Sequence, residues 1–271
     1  MTVCCYLQGT SKGDDIVRLF ARGANGILAN TLDYVSTHKL PAAPVFLWGC
    51  LRGSDLILKH CLATGHEFYY GDNCYYGSSE FIRISKNGLQ NTQFVERSAD
   101  RFQRNPVKIK PWRRSGSSIV ILPPTESFVH LFDKHSWLQD TIATLRQYTD
   151  RPIRVRYKPS ETGIGWQNGY MINTGTVTRN NAPSCSLDQD LADAWAVVAF
   201  QSSAVWEAIA MGIPAFVDPV NAASVFGNTD LKQIETPVYA DREPYFRHIN
   251  YCQFTRQEIA DGTAWRILTG D

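Results

Sequence analysis

Two serines, Ser202 and Ser203, stand between an apolar run, Ala194–Phe200, and a helix-favouring run, Ala204–Met211. Gly212 and Pro214 close that helix before a second apolar run, Ala215–Val217, so the segment spells one βαβ unit. The chemistry belongs to the turn. The first N–H groups of a helix have no intrahelical partner and carry positive partial charge. Two hydroxyls beside them complete a site for a phosphate-like anion. Glu207 follows Ser203 by four positions, and helical side chains lean toward the N-terminus. Its carboxylate is therefore placed to reach a group next to that anion, such as a ribose diol. The same residues also fit an ordinary capped βα turn with a surface glutamate.

Arg154, Arg156 and Lys158 alternate along Ile153–Tyr157 and just beyond it, which puts them on one face. Such cations, with helix N–H groups, would neutralise a leaving diphosphate without a metal. The competing reading is a row of solvated edge-strand charges. Asp72 follows an aromatic strand, Phe68–Tyr70, and a carboxylate at a strand C-terminus can take the proton of an attacking hydroxyl. An Asx-turn residue fits equally well there, and His66 and Asp14 are rival bases. The turn Gln8–Gly13 bears glycines but lacks the order of a nucleotide-binding P-loop. From the residues alone Gly9, Thr10 and Lys12 form a plain βα turn.

These residues need elements to hold them. Val3–Leu7, Pro44–Trp48 and Glu67–Tyr70 read as strands, with helices over Asp14–Ala21 and Asp55–Ala63. The pattern restarts with strand Ser118–Leu122, helix Trp137–Tyr148 and strand Ile153–Tyr157. Thr255 and Glu258 form a capping box for a last helix over Arg256–Leu268. Residues 160–186, rich in Gly, Asn, Thr and Ser, read as a long loop. Residues 83–114 carry nine basic and two acidic side chains, a local excess of +7 in a chain of net charge +1. Pro106, Pro111 and Ser115–Ser118 mark this stretch as an interdomain connection. The expected domains are 1–111 and 112–271.

The chain of 271 residues is 44% apolar and 20% charged, ordinary for an enzyme. Seven cysteines without a C-x-x-C spacing read as reduced core residues, and no metal site is expected. No apolar run reaches the ~18 residues of a membrane span, and the N-terminus lacks a leader pattern. The expectation is a cytoplasmic monomer without a membrane partner.

Ser202, Ser203, Glu207, Gly212 and Pro214 resemble the donor motif of GT-B glycosyltransferases and of nucleotide-sugar epimerases. The resemblance implies an α/β GT-B fold: two Rossmann-like domains facing a cleft, with a C-terminal helix crossing back. It implies a UDP-sugar as donor substrate, with no other cofactor, held by Arg156, Lys158, Ser202, Ser203 and Glu207. Trp48–Gly53, Asp72–Gly77, Phe81–Gly88 and the tail from Asp241 to Trp265 look similar to phage-encoded members that glycosylate hydroxymethylated pyrimidines in DNA. On that resemblance the enzyme is a metal-independent hexosyltransferase moving glucose from UDP-glucose to 5-hydroxymethylcytosine in double-stranded DNA, with Asp72 as the base. The acceptor would be met by Gly9, Thr10, Lys12, Arg52, Tyr75, Arg83, Lys86, Arg113 and Arg114. A bacterial surface-glycan transferase and a nonenzymatic nucleotide-binding scaffold are the alternatives.

Overall fold

The computed structural model describes residues 2–159, 161–177 and 185–270, with backbone alone for 161, 162 and 177. Its strands are β1 Cys4–Leu7, β2 Ile27–Asn30, β3 Val45–Trp48, β4 Phe68–Asn73, β5 Phe81–Lys86, β6 Ser118–Leu122, β7 Ile153–Val155, β8 Glu161–Gln167, β9 Tyr170–Val177, β10 Ala194–Ala199, β11 Ala215–Val217 and β12 Gln253–Thr255. The chain forms two compact α/β units. One comprises Met1–Asn91, Ile164–Thr174 and Ile249–Asp271; the other comprises Thr92–Gly163 and Gly175–His248. Among the described residues no helix is long and apolar enough to cross a membrane.

The first unit is built on a sheet ordered β2-β1-β3-β4-β5-β12. Strands β1 to β4 pair in parallel, whereas β5 and β12 are antiparallel. Short apolar runs buried on both faces suit parallel strands, because helices cover the sheet. Helix Ser11–Gly23 turns Ile16, Val17, Phe20 and Ala21 inward, and the Phe20 ring stacks on Phe46 at 3.9 Å. β2 and helix Thr31–Thr37 are missing from the sequence reading. A four-residue edge strand with mostly exposed side chains has no buried-strand pattern to read.

The capping box at Thr255 and Glu258 is present. The last helix breaks in two, Arg256–Ala260 and Thr263–Thr269, where Gly262 adopts φ +82°. Trp265 packs its ring against Phe20 and Tyr69. A Cβ at Gly23 would lie 2.0 Å from the Ile259 carbonyl oxygen, so glycine permits the close approach. The terminal helices thus belong to the first unit, and their assignment to a 112–271 domain is corrected.

The second unit has a four-stranded sheet, all parallel, ordered β7-β6-β10-β11. Ile119, Ile121, Val198, Phe216 and Leu145 fill its core. Residues 92–114 of the stretch read as an interdomain connection are part of this unit, and 83–91 belong to the first. Lys110 N–H donates to the Ala210 carbonyl at 2.8 Å and Arg113 N–H to that of Gly212 at 2.7 Å. Trp112 Nε1 donates to the Ala240 carbonyl at 2.8 Å. The boundary therefore falls at Asn91/Thr92 rather than 111/112.

His248 is buried in this unit and accepts the Val95 N–H on Nδ1 at 3.4 Å. Burial first, and the Arg97 charge second, hold its pKa down from 6.5 to about 4. Between those values the unfolded chain binds the proton and the folded chain does not. Stability should therefore rise with pH across that window and fall as the medium is acidified through it. Thermal denaturation across the window should show a shallower acid loss in His248→Gln.

Residues 161–177 form a hairpin, β8–β9, where the sequence reading has a loop. Asn168 (φ +49°) and Gly169 (φ +83°) supply the two left-handed positions of a tight turn. Residues 160 and 178–184 of that expected loop lie outside the described residues.

Candidate functional site

The first four strands of the first unit and the whole sheet of the second share one arrangement. The second strand lies outside the first, and the third and fourth lie on the other side. In such sheets the connections diverge between the first and third strands, leaving a crevice beyond their C-terminal ends. In the second unit those strands are β6 and β10. Their turns are Pro123-Pro124-Thr125 and Gln201-Ser202-Ser203.

The β10 turn carries the expected donor residues. Ser202 Oγ accepts the Ala204 N–H at 3.3 Å, and the helix runs Val205–Ala210. Gly212 ends it with φ +85°, as expected for a left-handed stop. Glu207 lies on the exposed side of this helix. Lost hydration first, and Asp188 second, raise its carboxyl pKa, while Arg156 opposes them. Arg156 directly follows β7 at the same end of the sheet as the β10 turn. Its guanidinium is ion-paired with Asp190 and donates to the Cys185 carbonyl at 3.1 Å. Arg154 donates to Ser118 Oγ at 2.8 Å and to the Asp190 carbonyl at 2.6 Å. Both arginines therefore hold segment 185–193 against the edge strand, which modifies the reading of free solvated charges. Lys158 is exposed beyond that strand. The structure brings Ser202, Ser203, Glu207 and Arg156 to one end of one sheet.

In the first unit the corresponding strands are β1 and β3. Asp14 accepts the Gln8 N–H at 2.7 Å and the Gly9 N–H at 3.2 Å, so the chain's own carboxylate occupies the N–H groups of that turn. Gly9 is exposed, Thr10 is the N-cap residue, and Lys12 donates to Asn73 Oδ1 at 2.8 Å beside the Trp48 ring. Asp72 stands at the C-terminal end of β4, directly opposite Arg83 on β5. Its Oδ2 accepts Arg83 Nη2 at 2.8 Å and the Tyr70 hydroxyl at 3.3 Å; its Oδ1 accepts the Asn73 N–H at 2.7 Å. The rival bases are placed differently. Asp14 is spent on backbone N–H groups. His66 Nε2 lies 3.0 Å from the Ala43 carbonyl, before β3 and β4 begin, at the opposite edge of the sheet.

The basic set expected to meet DNA is largely engaged within the chain. Arg83 is only 3% exposed, which removes it from the surface. Tyr75 is 2% exposed, with its hydroxyl accepting the Asn91 N–H at 2.9 Å, so it presents no ring to a flipped base. Lys86 pairs with Glu67 at 3.2 Å. Arg113 donates to the carbonyls of Leu191 and Ala192, both at 2.9 Å, and Arg114 lies over the Tyr239 ring at 4.2 Å. Arg101 is buried and Arg104 pairs with Asp100. Arg52 adopts φ +60° and gives its N–H to the Met171 carbonyl at 2.5 Å.

That last bond points to a group the sequence reading misses. Asp55 is fully buried at the start of helix Ser54–Thr64. Burial raises its pKa, opposed by the backbone N–H groups of Met171, Asp55 and Gly53 and by Lys59. Gln8 Nε2 donates to Ser54 Oγ at 2.8 Å and to the Trp48 carbonyl, so it bridges the two strands of the crevice. The signal for the hairpin is Asn168-Gly169 between two β-patterned runs. Among the described residues, no three His, Cys, Asp or Glu side chains converge. A depression of about 530 Å³ lined by Arg146, Tyr148, Arg151 and Glu235 lies at the strand N-termini of the second unit, the end away from these residues.

No protein-family model matches the chain, and no curated protein sequence matches it. Among solved structures it is similar to KpsC of Thermosulfurimonas dismutans, a beta Kdo 2,4 transferase, at 9% identity and a TM-score of 0.48, over 92% of this chain and 90% of that one.

Proposed function

We propose that the chain is a metal-independent glycosyltransferase of the GT-B plan. The second unit holds a UDP-sugar, with UDP-glucose the donor to try first, and the first unit presents an acceptor hydroxyl to Asp72. What supports this reading is that Ser202 and Ser203 follow β10 and Arg156 follows β7 at the C-terminal end of one parallel sheet, with Glu207 in the helix after β10. In the transfer, Asp72 takes the acceptor proton as the acceptor oxygen attacks the anomeric carbon. The bond from that carbon to the diphosphate oxygen breaks, and UDP leaves with the electron pair. Arg156, Lys158 and the turn N–H groups offset its charge.

5-Hydroxymethylcytosine in duplex DNA is the acceptor that the resemblance implies. Its support narrows to the exposed cations Lys12, Lys108, Lys110 and Arg114. A surface-glycan acceptor is the alternative to DNA. Mass spectrometry of nucleosides after incubating hydroxymethylated DNA with a panel of nucleotide sugars decides for or against DNA.

Donor binding is tested by calorimetry with UDP. Glu207→Ala should weaken it by the worth of a charged hydrogen bond, roughly 1.5–3 kcal/mol. Ser202→Ala/Ser203→Ala should weaken it as well. Unchanged affinity in both folded variants would sink the donor site. Transfer should also survive EDTA, since side-chain cations and N–H groups do the neutralising; an absolute need for magnesium or manganese would contradict that part.

A further inference from the structure

We propose that Tyr70 is a positioning residue for the transfer: with Arg83 it fixes one oxygen of the Asp72 carboxylate and leaves the other to receive the acceptor's proton. The inference rests on the reading of Asp72 as the base. Tyr70 and Asp72 are two positions apart on β4, so both point to one face of the sheet, and Arg83 stands opposite Asp72 on β5. Asp72 Oδ2 accepts the Tyr70 hydroxyl at 3.3 Å and Arg83 Nη2 at 2.8 Å. A carboxylate oxygen has two lone pairs, so Oδ2 is filled. Oδ1 accepts the Asn73 N–H at 2.7 Å, and its second contact is a long one, Asn73 Nδ2 at 3.4 Å. Lys12 holds that amide from its other end, donating to Asn73 Oδ1 at 2.8 Å. An attacking hydroxyl replaces the 3.4 Å contact without disturbing the two on Oδ2.

The burial of this group argues for more than packing. Tyr70 is fully buried and Arg83 nearly so, with its guanidinium 5.3 Å from the Tyr75 ring. A buried ion pair contributes little stability over apolar side chains of the same shape, so the fold alone does not require one at this strand end. Burial first, and the Asp72 charge second, hold the Tyr70 phenol well above its ordinary pKa of 10. It therefore remains a hydrogen-bond donor at any working pH, and a donor to the ionised carboxylate favours that form over the protonated one. The charged and titratable groups about this carboxylate are Tyr70 on β4, Arg83 on β5 with Tyr75 against it, Cys74 just beyond β4 and, across Asn73, Lys12 of helix Ser11–Gly23.

The test compares Tyr70→Phe, which removes the hydroxyl and keeps the ring, with Ser85→Ala. Ser85 lies opposite Tyr70 on β5, and its hydroxyl donates to the carbonyls of Gly88 and Tyr70, at 2.6 and 3.4 Å, rather than to Asp72. UDP-glucose turnover is read as UDP released across pH, with a hydroxymethylated duplex as acceptor and with water alone; calorimetry reads UDP affinity. Tyr70→Phe should lower kcat by about fivefold or more at unchanged UDP affinity, and should move the acid limb of the pH–rate profile up by about half a unit or more. Ser85→Ala should leave that limb in place, whatever it does to Tm. If Asp72→Asn loses turnover while Tyr70→Phe keeps the parent's kcat and acid limb, this inference fails and the proposed base stands. An equal shift of the limb in Tyr70→Phe and Ser85→Ala would reduce Tyr70 to support of the fold and overturn the inference likewise. If the folded parent releases no UDP with either acceptor, or Asp72→Asn turns over normally, the proposed base falls and takes this inference with it.

Discussion

Asp72→Asn is expected to lower turnover by about 100-fold or more, the usual scale of losing a general base, with UDP affinity unchanged. Asp72 ends β4 at the crevice edge of the first sheet, and it is fixed there by the Arg83 guanidinium, the Tyr70 hydroxyl and the Asn73 N–H. That fixation complicates the single substitution. Arg83 is buried, and removing its counterion leaves a charge in a medium that solvates it poorly, a loss on the order of 3–5 kcal/mol for a fully buried pair. The Asp72 side chain is 21% exposed, so the loss here should be smaller. Asp72→Asn combined with Arg83→Met removes both charges and separates the two effects. Thermal denaturation should show the double variant recovering stability, while single-turnover transfer stays as low as in Asp72→Asn. Recovery of transfer along with stability would show that the carboxylate serves the fold. A normal rate in either folded variant would move the base elsewhere.

The βα turn after β10 was legible because its signals are local. An apolar run, two small polar residues, a helix and Gly-x-Pro report a βα turn without reference to any distant residue, and Gly212 adopts the left-handed backbone that the pattern requires. The capping box at Thr255 and Glu258 was legible for the same reason. The basic stretch was misleading because charge was counted without knowing its partners. Arg113 spends its donors on the carbonyls of Leu191, Ala192 and Ala194, some 80 positions along the chain. Arg83 meets Asp72 only through the antiparallel register of β4 and β5. Such pairings depend on topology, which composition does not record. Asp55 is a third kind of miss. A carboxylate in the first turn of a helix is ordinary from sequence. Only the docking of Met171, 116 positions along the chain, makes it a buried anchor. The hairpin itself did carry a local signal in Asn168-Gly169, but the Gly, Asn and Thr content around it reads equally as loop.

Gly212→Ala is expected to destabilise the second unit by several kcal/mol and to detach the segment around Pro111. Two costs combine. At φ +85° an alanine is strained by roughly 1–2 kcal/mol. Its Cβ would also sit 2.1 Å from the Pro111 carbonyl oxygen, a backbone atom that has no rotamer with which to yield. The segment is held on both sides of that oxygen, by Lys110 N–H to Ala210 and Arg113 N–H to Gly212. It moves only by breaking those bonds, each worth about 1 kcal/mol net. Trp112, whose indole lies 4.0 Å from the Arg242 guanidinium, would be pulled with it. Denaturation should register a loss on the order of 3–5 kcal/mol. Hydrogen exchange should localise the damage to the amides of Lys110 and Arg113 while β1 and β3 remain protected. Because the same glycine closes the helix that bears Glu207, UDP binding should weaken too, through a displaced helix rather than a lost contact. Gly65→Ala, at another left-handed helix end with open space around its missing Cβ, should show the strain without the collision and cost correspondingly less. Equal losses at the two positions would mean that the close approach of residues 110–113 contributes nothing to the stability of the second unit.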